Sequence, residues 1–144
     1  MKKQNFFDLN FDQLKNFLID KAEIDSSKAK MRAQQMFNAV YKKNIKNLDE
    51  LTTFGLALRE KIKSLISLEK PKITDVQKSK DGTIKFLLEL KDRRNVETVL
   101  IPDKTLSRYT ICLSVSVGCY LSCEFCATAQ ISKKLVRNLT PGEI

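Results

Sequence analysis

Cys119-Tyr-Leu-Ser-Cys123-Glu-Phe-Cys126 is a Cys-x3-Cys-x2-Cys triplet, a spacing at which three thiolates can hold three irons of a cubane [4Fe-4S] cluster and leave the fourth open. Iron–sulfur electron carriers close all four corners with cysteine, so a triplet reads as a reaction centre. A structural zinc site is the competing reading, because Cys112 lies seven residues upstream. Such sites usually come as two separated Cys-x2-Cys knuckles, whereas here there is one such pair and Cys112 stands in a strand-like run. The chain has no histidine, which removes mixed Cys/His sites. Met1-Lys-Lys-Gln leads into amphipathic helix rather than an apolar signal segment. The expectation is a cytoplasmic protein with reduced thiols and no transmembrane span.

Outward from the triplet, Ile111, Leu113, Val115 and Val117 alternate with Cys112, Ser114, Ser116 and Gly118, the period of a strand. This places Cys112 on the polar face. Further upstream, Ile84, Phe86, Leu88 and Leu90 alternate through one strand, 91–95 turns, and Val96 to Ile101 returns. Asp81-Gly82 is a hairpin-type turn. Before Ser67 the period is helical. Asn10 caps a helix burying Phe11, Leu14, Phe17 and Leu18, and a second helix, starting after Ser26 or Ser27, aligns Ala29, Ala33, Met36, Phe37, Val40 and Tyr41. Shorter helices are expected at 48–51 and 56–66. The organisation predicted is a helical domain over 1–67, a β-hairpin connector over 68–107, and a segment over 108–144 that carries the cysteine loop.

The order and spacing of several short motifs resemble the RlmN/Cfr family of radical S-adenosylmethionine (SAM) RNA methyltransferases. They are Phe7-Asp8-Leu9, Arg32-Ala33-Gln34-Gln35, Leu58-Arg59, Ser79-Lys-Asp81-Gly82-Thr83-Ile-Lys85, Val96-Glu97-Thr98-Val99, Arg108-Tyr-Thr-Ile-Cys112, the triplet, and Arg137-Asn-Leu-Thr-Pro-Gly-Glu-Ile144. The resemblance implies that Cys119, Cys123 and Cys126 ligate the cluster and that SAM binds its open iron, where one electron cleaves it to a 5′-deoxyadenosyl radical. It implies that Phe125 packs near the SAM adenine. Cys112 matches the cysteine that removes a proton to release a covalent RNA–enzyme intermediate, and Glu97 matches a glutamate proton acceptor. By the same resemblance the substrates are adenine C2 in 23S ribosomal RNA and transfer RNA, and a flavodoxin- or ferredoxin-type donor supplies the electron. The sequence departs from the family at Val115-Ser116 and in a longer loop between Cys126 and Arg137.

The fold class implied is the α+β front portion of an α/β enzyme, ending in the first strand and cluster loop of a radical SAM βα barrel. Thr140-Pro141-Gly142-Glu143 reads as a capping box opening a helix. A TIM-type barrel takes about 200–250 residues, and about 35 follow Tyr109, so the expectation is an N-terminal part that is inactive alone. Composition agrees with an RNA partner: 26 Lys plus Arg against 17 Asp plus Glu give a net charge of +9, suited to phosphate. Lys28, Lys30, Arg32, Lys42, Lys43 and Lys46 gather around the second helix, and Arg93-Arg94 stand at a turn. The alternatives are a catalytically dead RNA-binding fragment, a Cfr-like C8 methyltransferase, and a zinc-stabilised RNA-binding module. A monomer is expected.

Overall fold

The computed structural model describes residues 3–103, 105–121, 123–126 and 134–144. The chain divides into two compact units, Met1–Glu69 and Lys70–Ile144.

The first unit is built on helices α1 (Phe11–Asp20), α2 (Ser26–Phe37) and α3 (Leu56–Leu65). Asn10 starts α1 with a reciprocal capping box: its side chain accepts the Gln13 N–H at 2.9 Å, and the Gln13 side chain accepts the Asn10 N–H at 2.9 Å. Two orphan donors of the first turn are satisfied at once. The second helix is capped one residue earlier than the serines suggested, because the Asp25 carboxylate accepts the Ser27 N–H at 2.8 Å. After Phe37 the helix loosens into a π turn, Asn38–Lys42. There Ala39 and Val40 stay buried, while Tyr41 is 57% exposed and lays its ring against Phe6, Phe7 and Phe37.

The segment read as a helix at 48–51 is a single 3-10 turn, Leu48–Glu50, with its own Asn47/Glu50 capping box. A parallel pair not apparent in the sequence, β1 (Gln4–Asn5) with β2 (Ile66–Ser67), ties the start of the unit to the end of α3. Phe6, Leu14, Leu18, Met36, Phe54 and Ile62 fill the core at 0–1% exposure, so the helical stripes are core positions.

The second unit is an antiparallel meander in the order β3 (Lys72–Lys78), β4 (Ile84–Glu89), β5 (Asn95–Asp103), β6 (Arg108–Leu113). Gly82 makes the first turn at φ +95°, a region that glycine enters without steric cost. The second turn runs through Arg93 at φ 63°, closed by the Leu90 N–H to the Arg94 carbonyl at 2.8 Å. Leu90 lies past the end of β4 and forms a small core with Val96 and Leu139. Registers place Lys85, Glu97, Val99 and Cys112 on one face, and Phe86, Leu88, Val96, Ile111 and Leu113 on the other. The expected alternation therefore holds. At the edge strand β6, however, both faces are exposed, with Ile111 at 58%. The strand run breaks at Ser114 and resumes as β7 (Ser116–Val117), which pairs antiparallel with β8 (Arg137–Asn138).

Candidate functional site

The cysteine loop lies in the second unit, between β7 and β8. Ser116 pairs with Asn138 and Val117 with Arg137. The Val136 N–H donates to the Val117 carbonyl and the Leu139 N–H to the Val115 carbonyl, each at 2.9 Å. Gly118, at φ 77°, turns the chain out of β7 just before Cys119, again a conformation that favours glycine.

Within the loop the Leu121 N–H points at Cys119 Sγ, 3.4 Å away, and the Cys126 N–H closes a turn onto the Cys123 carbonyl at 3.1 Å. None of the cysteines is in a disulfide, and the three of the triplet are half-buried. Phe125 is 92% exposed. Among the described residues no three His, Cys, Asp or Glu side chains stand close enough together to hold a metal ion, so the loop carries the three sulfurs without gathering them. As a donor set they nevertheless fit an iron–sulfur cluster: three thiols within eight residues, one already accepting a backbone N–H as cluster sulfurs do. Of the longer loop expected between Cys126 and Arg137, residues 127–133 lie outside the described residues.

Cys112 and Glu97 share one face of the sheet. Cys112 is opposite Val99 in the β5/β6 register, and Glu97 stands two residues along β5, a diagonal neighbour at about 7–8 Å in Cα spacing. Lys85, opposite Val99 on β4, reaches Glu97 Oε1 at 3.0 Å, and Ser114 Oγ donates to the Glu97 carbonyl at 2.7 Å. The strand patterns of the sequence could have shown Lys85 beside Glu97, had the β4–β5 register been fixed through the turn closed by Leu90 and Arg94.

The base of the loop is pinned by a group that local patterns did not reveal. Arg137 grips Glu143 in bidentate fashion at 2.7 and 2.9 Å, and its Nε donates to Asp92 at 2.9 Å in the β4–β5 turn. Glu143 also accepts the Thr140 N–H at 3.0 Å. The guanidinium holds both carboxyls below their ordinary values, chiefly by these hydrogen bonds.

In the first unit Lys28, Lys30, Lys42, Lys43 and Lys46 are exposed, as a phosphate-facing surface requires. Arg32 is not part of that surface. It donates to Gln35 and to the Thr53 carbonyl, and its guanidinium lies 5.0 Å from the Phe54 ring centroid, so its work is structural. Lys43 lines a cavity of about 140 Å³ with Gln35, Asn38 and Thr52.

Residues 4–68 match the family described as "Ribosomal RNA large subunit methyltransferase N-terminal domain". The "Dual-specificity RNA methyltransferase RlmN" of a Nitratiruptor species is 41% identical over 126 residues, covering 80% of this chain and 35% of the relative. That of Campylobacter fetus is 39% identical, covering 98% and 40%, and that of Syntrophus aciditrophicus is 36% identical, covering 100% and 39%. The crystal structure of a radical SAM methyltransferase from Sphaerobacter thermophilus superposes with a TM-score of 0.79 at 31% identity, over 97% of this chain and 39% of that one. The chain thus spans between a third and two fifths of the length of these curated relatives.

Proposed function

The chain carries the N-terminal domain of the RlmN family and matches that family's N-terminal portion along its length, and on that footing we propose that it serves a radical SAM RNA methyltransferase acting at adenine C2 of 23S ribosomal RNA and transfer RNA. The observation that carries the reading is the coincidence of end-to-end likeness with a cysteine triplet on one loop of the second unit.

Cys119, Cys123 and Cys126 would hold the cluster, and Phe125, exposed beside the last two, would pack on the SAM adenine. When bound, cluster and SAM supply one-electron cleavage chemistry that protein side chains cannot. The work of this chain's own residues lies on the sheet face. Cys112 is exposed, and its thiolate form would take a proton from a substrate carbon to become the thiol, while Glu97, held by Lys85, is a carboxylate acceptor on the same face. The exposed lysines of the first unit would hold RNA phosphates. An external flavodoxin- or ferredoxin-type donor, action as a monomer and a cytoplasmic setting complete the proposal. No helix of the described residues is long and apolar enough to cross a membrane.

The test is a chimera joining residues 1–144 to the remaining length of the Syntrophus aciditrophicus relative, which this chain matches over 100% of its residues. With cluster, SAM, reductant and unmodified RNA it should form 2-methyladenosine, read by mass spectrometry. The same chimera carrying Cys112→Ala should leave RNA covalently attached to protein. A loaded chimera yielding only 8-methyladenosine would favour the C8 reading, and one binding RNA without methylating it would favour the RNA-binding fragment.

A further inference from the structure

Arg137 has an unusually complete set of partners for a residue at the base of a cysteine loop. Its guanidinium makes four hydrogen bonds: two to Glu143, one to Asp92 and one to the Asn138 carbonyl at 3.1 Å. The side chains of Arg137 and Glu143 are 31% and 14% exposed, so solvent screens them less than an open surface pair. We propose that Arg137 is the positioning residue of the cysteine loop's base, fixing where Cys119 stands for cluster binding; this rests on the cluster reading given above.

The base of the loop is weak on its own. β7 and β8 are two residues each, and an isolated two-stranded ladder is marginal in water even when longer. Arg137 occupies one of its two rungs, opposite Val117, and Cys119 follows Val117 by two residues. Any slip of that rung moves Cys119 directly. The guanidinium fork ties β8 to two further points: Asp92 in the β4–β5 turn, 45 residues away, and Glu143 just beyond.

Beneath the fork, Leu139 is buried against Leu90 and Val96, with Val117 packed alongside. The apolar contact supplies adhesion, and the fork supplies direction, because planar bidentate bonds fix angle as well as distance. A lysine at the same place keeps the charge and loses the fork. Loop ends held in this way remove the conformational freedom that the cysteines would otherwise lose on closing around a cluster.

The experiment uses the 144-residue chain in wild-type, Arg137→Met, Arg137→Lys and Glu143→Gln forms, reconstituted anaerobically with ferrous iron and sulfide. The readouts are the half-time of iron loss to a chelator, the electron paramagnetic resonance spectrum of the reduced cluster, and amide exchange in β3–β5. Arg137→Met should lose iron about tenfold faster, the usual size of a missing outer-shell support, with a broadened spectrum and unchanged exchange in β3–β5. Arg137→Lys should fall between, and Glu143→Gln should move in the same direction as Arg137→Met. If Arg137→Met does not fold, Glu143→Gln carries the test, because it leaves the Asp92 bond intact. Wild-type chelator kinetics and spectra in the variants would overturn the inference alone, as would faster iron loss that merely tracks raised exchange in β3–β5. Failure of the wild-type chain to load a cluster would overturn the cysteine assignment and this inference with it.

Discussion

Arg137 shows what a single side chain can organise, and its carboxylate partners make the arrangement sensitive to pH. Asp92 and Glu143 are depressed by the guanidinium, so the folded state binds protons less readily than the unfolded chain. Stability from such groups is complete above the ordinary carboxylate values and is lost as pH falls through the folded ones. Amide protection of Val136 and Leu139, whose N–H groups close the loop base, should therefore hold from neutrality down to about pH 4 and collapse below it. Protection that weakens instead on going from pH 5 to 8 would contradict this sign. Asn10 offers a second single-residue test. Its side chain satisfies the Gln13 N–H, and Asn10→Ala should cost about 1 kcal/mol in urea unfolding of the first unit.

Elements whose signals were local could be read from the chain alone, whereas those made by distant partners could not. The α1 cap follows from Asn10 ahead of an apolar stripe, and the Asp81-Gly82 turn from its composition. The β1/β2 pair joins residues 62 positions apart through Gln4 and Ile66, and two-residue strands leave no periodicity. The π turn was hidden because Ala39, Val40 and Tyr41 extend a helical stripe that packing then distorts. At the site, the triplet was legible as a motif because its three cysteines lie within eight residues of sequence. The fork of Arg137 was not, because Asp92 reaches it across 45 residues. The exposure of β6 was also invisible, since alternation assigns faces but not what covers them. At this scale Gly82→Ala is diagnostic: an added Cβ would stand 3.2 Å from Pro102 Cγ with φ at +95°. The substitution should destabilise the second unit by about 1 kcal/mol, seen as a lower midpoint for β3–β5 exchange with the first unit unaffected.

Over the whole molecule, charge and the cysteine loop divide between two units. The exposed lysines of α2 and its π turn belong to the first, the thiols to the second. With a net charge of +9, binding to a ribosomal or transfer RNA hairpin should weaken steeply as salt rises. Replacing Lys28, Lys30, Lys42 and Lys43 by alanine should flatten that slope, and an affinity indifferent to salt would count against a phosphate-facing surface. The most direct test of the whole reading is metal and sulfide analysis of the anaerobically reconstituted chain. About four irons and four sulfides per chain are expected, lost in Cys119→Ala, Cys123→Ala and Cys126→Ala and retained in Cys112→Ala. Stoichiometric zinc held by all four cysteines, or iron that survives Cys123→Ala, would contradict it.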